Sequence, residues 1–245
     1  MNEDIFKPKT NLDPSEYKNL FGDPFWNQQG SPKAGSFYLQ LSEKEKALML
    51  KKNYLEMIKK ARERNFNMAA DCLQWWLDGS GFTKNIDFNW LRKQKEVIAA
   101  ENLNLERFAE MLEKYGKTLK EEGDVAKYDD HFEHQVKGSI FGELYYASGD
   151  STLSSHCYFK ITKKKNNFLV TGIIKHFWWD SYNWHKEANA YIPSFGYVKD
   201  SDALLVEKYC EAKPFDMKSE WQQSFDKSFQ SGFLGGLNIN LKENK

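Results

Sequence analysis

The sequence has few cysteines, and their arrangement would neither crosslink a small fold nor bind zinc. Cys72, Cys157 and Cys210 are the only three, they lie far apart, and none belongs to a C-x-x-C pair. Disulfide frameworks and zinc knuckles need paired or closely spaced cysteines, so we expect neither. The pattern is typical of a chain that folds in a reducing compartment.

The chain also has no excess of charge and no long apolar run. Lysine plus arginine and aspartate plus glutamate number 35 each, which gives no overall electrostatic reason to expect a nucleic acid partner. No window approaches the 18 or so apolar residues that predict a transmembrane helix, and the N-terminus does not have the pattern of a secretory signal. We therefore expect synthesis in the cytoplasm without a signal peptide.

Several common catalytic motifs are missing as well. The sequence contains no G-x-S-x-G, H-E-x-x-H, P-loop or G-x-G-x-x-G pattern. This argues against a common serine hydrolase, zinc protease, kinase or dinucleotide-dependent enzyme.

The patterns that are present predict an α+β protein: an N-terminal helical half followed by a mostly antiparallel β-sheet with a short C-terminal helix. Residues 1–36 are predicted to form an irregular N-terminal arm. Residues 37–130 form the predicted helical subdomain, in which Ser42 and Glu45 make a capping box. Residues 131–245 form the predicted antiparallel β-rich subdomain.

Some assignments within these regions are more detailed. Asp87 is the predicted N-cap of a third helix, and a fourth helix is predicted to end at Gly123. The lysine-rich stretch 160–167 is predicted to form the tip of a β-hairpin. Residues 200–214 favour a short helix capped by Asp200 or Ser201, whereas 217–229 fit either a strand or a helix.

Histidines near the predicted domain boundary form a weak metal-binding pattern. His131 and His134 are three residues apart, which would place them on one face of a helix, and His156 could supply a third ligand. Because a metal site needs convergent ligands, we favour a surface loop here and predict no metal site.

The stretch HFWWDSYNWHKE, residues 176–187, is the candidate site. Alternate strand residues share a face, so Asp180 and Tyr182 are expected to point together at the end of a strand. A carboxylate shielded by tryptophans acquires a raised pKa, which suits a general base. The same residues are also typical of a strand that ends in a turn, without any catalytic role. The predicted catalytic residues are Asp180, Tyr182, Asn183 and His185.

A binding surface is the alternative for the same stretch. Trp178, Trp179, Trp184 and Lys186, together with Trp221, could form an aromatic surface for a glycan, a lipid or a protein partner. A third hypothesis, a membrane-perturbing toxin acting through the amphipathic helix 42–64, competes with an ordinary helix that has a solvated lysine face.

The segment NFLVTGIIKHFWWDSYNWHKEANAYIPSFG, residues 167–196, resembles the D-x-Y-D segment of antibacterial toxin domains. These are the colicin M group and effector domains of polymorphic and type VI secretion toxins with a D-x-Y-[DN]-W turn. The later AKPFD, residues 212–216, and the helical AADCLQWWLDGSG, residues 69–81, are similar to effector segments too.

The resemblance implies an interbacterial effector toxin that acts in the recipient cell and hydrolyses a cell-envelope precursor or lipid. It also implies a secretion-system carrier, a cognate immunity protein and a divalent cation such as Mg²⁺. Asp180 and Tyr182 match the first aspartate and the tyrosine of the motif, but Asn183 replaces its second aspartate. The His-Arg pair that follows in colicin M-like toxins would fall on Asn189 and Ala190. These departures put the colicin M reaction in doubt.

Overall fold

The structure is a computed structural model that describes residues 41–185, 189–192, 196–230 and 242–243. The predicted N-terminal arm and Lys186 lie outside the described residues. Across the ranges that are described, no helix has both the length and the apolar character needed to cross a membrane.

Helices and strands follow one another in the predicted order. The helices are α1 (Glu43–Glu63), α2 (Asn67–Leu77), α3 (Phe88–Leu91), α4 (Lys95–Gly116), α5 (Glu143–Ala147) and α6 (Asp200–Cys210). The strands are β1 (Lys84–Asn85), β2 (Val125–Lys137), β3 (Asp150–Lys164), β4 (Asn167–Tyr182), β5 (Asn189–Ile192), β6 (Gly196–Lys199), β7 (Phe215–Gln230) and β8 (Lys242–Glu243).

The predicted α+β class is confirmed. The main sheet has the strand order β1-β7-β4-β3-β2, with β8 paired to β7. The β2–β3 and β3–β4 pairs are antiparallel, and only the short β1 runs parallel to its neighbour β7 among the described pairs. The segment 217–229, which the sequence left open, is part of strand β7.

The chain divides into two compact units that differ from the predicted subdomains. The helical unit comprises Met1–Phe82 and Tyr182–Phe215, and the sheet unit comprises Thr83–Ser181 and Asp216–Lys245. Each unit is therefore built from two separate stretches of chain. The expected boundary near residue 130 falls inside β2, within the sheet unit.

The helical unit is organised around α1, α2 and α6. Its first helix begins as predicted, since the Ser42 hydroxyl accepts a hydrogen bond from the Glu45 backbone and the Glu45 carboxylate accepts one from the Ser42 backbone. Tyr54 of α1 packs edge-on against Trp76 of α2. Trp76 in turn donates a hydrogen bond of 2.9 Å to Glu207 of α6.

The sheet unit packs α4 against one face of the sheet, which we call the inner face. Phe108 and Leu112 of α4 lie in a cluster with inner-face residues Cys157, Phe159 and others. On β3 the buried and exposed residues alternate from Ser155 to Ile161, as expected when only one face of a sheet is covered. The opposite, outer face carries residues such as His156 and Tyr158.

Three local predictions were wrong. The third and fourth helices are one continuous helix, α4, preceded by the single turn α3 that Asp87 caps. No helix-breaking residue lies between the two predicted helices. The continuous helix α4 ends at Gly116 rather than at Gly123. The α6 N-cap is Lys199, without a side-chain hydrogen bond, because Asp200 instead accepts one from the His185 backbone.

The third wrong prediction concerns the histidine motif, which is neither a helix nor a loop. Residues 125–137 form strand β2, so His131 and His134 point to opposite faces of the sheet. The strand extends ten residues before the position at which the sequence pattern changes, near Gln135. By contrast, the lysine-rich stretch does form a hairpin tip, since Lys164 pairs with Asn167 across a two-residue turn.

Candidate functional site

Asp180 lies near the end of β4, in the sheet unit. Its Oδ1 accepts a hydrogen bond of 2.8 Å from the backbone N–H of Ser181. Its Oδ2 is buried and has no hydrogen-bond partner among the described residues. The carboxyl group is thus anchored at one oxygen and unsatisfied at the other, and an unsatisfied buried oxygen is costly unless it is protonated or bound.

Two further carboxylates lie at the same end of the sheet. Asp150 begins β3 and Asp216 is the second residue of β7, and these strands flank β4 in the sheet. Asp216 accepts a hydrogen bond of 2.7 Å from the Ser181 hydroxyl. Three neighbouring strands therefore carry three acidic residues at the same end of the sheet, although Asp216, bonded to Ser181, lies on the face opposite Asp180. We call Asp150, Asp180 and Asp216 the acidic end.

Burial and these neighbours change the acidity of Asp180. Its pKa is raised from 3.8 to about 7, chiefly by burial and further by the negative charges of Asp150 and Asp216, against the lowering effect of the Ser181 N–H. A carboxyl group with a pKa near the working pH can both take and return a proton. Asp180 can therefore act as a general base or a general acid at neutral pH.

The acidic end does not fit the divalent cation implied by the resemblance. Over the part of the chain that the structure describes, no three or more His, Cys, Asp or Glu side chains are arranged to hold a metal ion. Mg²⁺ prefers several oxygen ligands in octahedral geometry. We therefore derive no chemical step through a metal at this position.

Tyr182 and the residues after it belong to the helical unit and have other neighbours. The Tyr182 ring stacks on Phe215 with a centroid separation of 5.0 Å and meets Trp184 edge-on at 5.8 Å. Trp184 also contacts Trp76 and Tyr54. Tyr182 and Trp184 are thus members of an aromatic cluster inside the helical unit.

Asn183 and His185 have exposed side chains. The His185 backbone N–H donates to Asp200 over 2.8 Å. Burial raises the pKa of the Asp200 carboxyl, while this hydrogen bond and the His185 charge lower it. The structure therefore connects His185 with Asp200, a residue that the sequence had assigned to a helix cap.

The expected aromatic surface is only partly present. Trp178 is 1% exposed and donates a hydrogen bond of 2.9 Å to Ser151, and Trp221 is also buried. Both are core residues, because they fall on the inner-face positions of β4 and β7. Trp179, one position further along β4, is 44% exposed on the outer face. Of the sheet unit's three predicted tryptophans, only Trp179 is available to a ligand.

A buried polar chain, which was difficult to predict from the sequence, links α4 to the sheet. Asn104 Nδ2 donates to Ser155 Oγ over 2.6 Å, and Ser155 Oγ lies 2.8 Å from His176 Nδ1. His176 Nε2 lies 3.2 Å from Gln223 Oε1 and 3.5 Å from Glu101 Oε1. Two acceptors face Nε2, so this nitrogen carries the proton and Ser155 donates to Nδ1.

This buried chain resembles a nucleophile–base–acid arrangement but is closed to substrate. Ser155 and His176 are at most 1% exposed, and burial lowers the pKa of His176 despite the nearby Glu101 carboxylate. We interpret it as an internal hydrogen-bond network that orients α4 on the sheet. One sequence signal was available: His176 alternates in phase with Ile174 and Trp178 and so lies on the same face of the sheet as they do.

The chain was also compared with known proteins. No protein-family model, no curated protein and no solved structure matches it.

Proposed function

We propose that the chain is an interbacterial effector toxin that hydrolyses a cell-envelope precursor or lipid, with Asp180 as its general base. The observation that carries the proposal is the state of the Asp180 carboxyl group, whose pKa is about 7 and whose Oδ2 has no described partner. The D-x-Y-N-W pattern at residues 180–184 supports the toxin assignment. A carrier and an immunity protein belong to the same proposal.

The proposed reaction uses only the Asp180 carboxyl group. The Ser181 N–H holds Oδ1, so the proposal requires Oδ2, which is buried in this structure, to become exposed to an attacking water and accept its proton. The water oxygen then bonds to the phosphorus or carbonyl carbon of the substrate, the bond from that atom to the leaving oxygen breaks, and the leaving oxygen takes up a proton from Asp180 or from solvent. Asp180 returns its proton to solvent or to the leaving group and is ready for another cycle.

The other predicted catalytic residues have a less direct place in the proposal. Tyr182 and His185 are proposed to orient the substrate or to donate protons, and Asn183 is proposed as a further catalytic residue. They lie in the helical unit, and the argument for Asp180 does not depend on them.

The first prediction is that Asp180→Asn abolishes toxicity without unfolding the protein. Asparagine keeps the shape of the side chain but cannot accept a proton, so loss of a general base should lower the rate by about 10²–10⁴-fold. The wild type and the variant would each be expressed in the cytoplasm and in the periplasm of a test bacterium and scored for growth. The matched control is Asp226→Asn, which removes an exposed carboxylate from β7.

Two results would decide against this function. Full toxicity in a folded Asp180→Asn variant would remove Asp180 from the mechanism. Absence of toxicity for the wild type in both compartments would contradict the toxin assignment itself.

The binding-module alternative keeps one supporting observation. Trp179, Phe177 and Tyr158 are each more than a third exposed on the outer face of β3 and β4. Exposed aromatic rings are suited to stacking on a glycan or lipid headgroup. If toxicity survives Asp180→Asn but is lost in Trp179→Ala, this surface and not the acidic end is the functional site.

A further inference from the structure

Two histidines that the sequence did not pair lie directly opposite each other on the outer face. His131 of β2 and His156 of β3 are cross-strand partners, and their ring centroids are 5.0 Å apart with an interplanar angle of 32°. Both side chains are exposed. The spacing that suggested His131 with His134 was misleading, because on a strand that pair is divided between the two faces.

The separation of the two rings suits a single metal ion between them. An imidazole nitrogen binds late first-row metals at about 2.0–2.1 Å, which puts each ring centroid roughly 3.2 Å from the ion. Two centroids 5.0 Å apart then subtend about 100° at the ion, between the right angle of square or octahedral sites and the tetrahedral angle. One ion can therefore bind both rings once a nitrogen of each faces it.

A hydrogen bond already orients one of the rings. His156 Nδ1 lies 3.2 Å from the Tyr158 hydroxyl, which leaves Nε2 as the nitrogen available for a ligand bond. Metal-binding histidines commonly use their second nitrogen in this way, and such a partner fixes the ring and its tautomer. For His131, the structure shows no hydrogen bond from the ring to any described residue, so both of its nitrogens are available.

The charges around the pair favour a cation overall. Asp129 and Glu133 flank His131 on the same face of the sheet. The opposing charge is Lys175, which pairs with His156 from β4. Its Nζ lies over the Tyr158 ring, 5.9 Å from the centroid, and so points along the strand.

We infer that His131 and His156 form a two-histidine chelate for a late first-row divalent ion such as Cu²⁺, Ni²⁺ or Zn²⁺. The described residues add no third ligand to the pair, so the remaining positions are open to water or to an oxygen ligand. The ion would join β2, at the edge of the sheet, to β3. This inference is independent of Asp180, and imidazole ligands exclude the Mg²⁺ that the resemblance implied.

The second prediction is that the tag-free, full-length protein binds one Cu²⁺ per chain at this pair, followed in affinity by Ni²⁺ and Zn²⁺, without measurable binding of Mg²⁺. Calorimetric titration with the metal chlorides gives the stoichiometry and affinity. Because a chelate is lost when either ligand is removed, His131→Gln and His156→Gln should each weaken Cu²⁺ binding by more than about tenfold, and the double variant little more than either one.

The chain provides a matched control, since it has five histidines in all. His185→Gln removes one from the helical unit and should leave Cu²⁺ affinity unchanged. Tyr158→Phe keeps both ligands but removes the hydroxyl that orients His156, and an intermediate loss is expected. The Cu²⁺ electron paramagnetic resonance spectrum of the wild type should show two nitrogen ligands.

The competing results are equally clear. If the losses in the two single variants add up in the double variant, the histidines bind separately and there is no chelate. If His185→Gln weakens Cu²⁺ as much as His131→Gln does, or if the spectrum shows one nitrogen, the site lies elsewhere and the inference is wrong.

Discussion

At the scale of single residues, the Asp180 carboxyl group combines chemical usefulness with a cost in stability. An acid with a folded pKa of about 7 and an unfolded value of 3.8 stabilises the fold only while it is protonated. Its contribution to the free energy of unfolding is fully present below pH 3.8 and is lost as the pH rises through about 7. The group proposed to act at neutral pH is thus one that the folded protein accommodates poorly when ionised.

The third prediction follows from the loss of stability that ionisation of Asp180 causes. Asp180→Asn should have a higher free energy of unfolding than the wild type, with a difference that grows from about pH 4 to about pH 7.5 and reaches the order of 3 kcal/mol. Chemical denaturation across this range measures it. The buried His176 affects both proteins alike, because its lowered pKa removes stability from each below pH 6.5. Asp226→Asn is the control, and a pH-independent difference for Asp180→Asn would contradict the prediction.

The sequence could identify Asp180 but not its surroundings. A carboxylate among tryptophans at the end of a strand already suggested a raised pKa, and that direction is confirmed. Asp150 and Asp216 could not be added, because strand order decides which distant residues meet. The sequence predicted that Trp178 and Trp179 point to opposite faces of the sheet. It did not predict which of the two faces the core.

At the scale of elements, the end of α2 depends on a close approach between backbone segments. Gly79 and Gly81 follow this helix, and both have positive φ, at 67° and 66°. A Cβ on Gly79 would lie 2.1 Å from the Glu211 carbonyl oxygen, whereas one on Gly81 would meet only the Lys213 side chain at 3.5 Å. Both positions favour glycine because of their positive φ. Only at Gly79 would a side chain also clash with a neighbouring backbone segment.

The fourth prediction uses these two glycines as a matched pair. Gly81→Ala should cost about 1–2 kcal/mol, the usual strain of a left-handed residue with a side chain. Gly79→Ala carries the same strain and also forces two backbone segments apart, so its melting temperature should fall clearly further. Thermal unfolding followed by far-UV circular dichroism compares the two variants. Equal melting temperatures would show that Glu211 does not lie against Gly79.

Elements with strong local signals were predicted best. The capping box, the hairpin tip and the paired glycines each use short-range chemistry, so the ends of α1, β3 and α2 could be placed from the sequence. Strand β2 was placed too late, because its residues 129–135 are mostly charged or histidine and their alternation is in burial rather than in polarity. Such a pattern gains meaning only when a core is known to lie on one side.

At the scale of the whole molecule, the chain passes between its two units three times, at residues 82–83, 181–182 and 215–216. A boundary drawn from helix content therefore cuts both units. The sequence could not show this, because the change from helices to strands does not follow the change of unit: α4 belongs with the sheet, and residues 182–215 belong with α1 and α2.

The fifth prediction tests this division. Residues 131–245 alone should not fold cooperatively, because they lack α4 and part of β2. A chain of residues 83–181 joined to 216–245 by a short Gly/Ser linker should fold, since the hydrogen bond between Ser181 and Asp216 shows that the ends to be joined are adjacent. Dispersed amide signals in nuclear magnetic resonance would identify a folded chain. Folding of 131–245 but not of the linked chain would contradict the division.

The division of each unit into two separate stretches of chain also affects how the protein folds during translation. A ribosome releases the chain from its N-terminus, and the partners of α1 and α2 in α6 emerge only after the whole of β4. Until about residue 215 has left the exit tunnel, neither unit possesses all of its parts, so most of the nascent polypeptide must wait with apolar surfaces uncovered. Holdase chaperones should accordingly bind this protein during translation, and folding should be completed in a late, nearly concerted step.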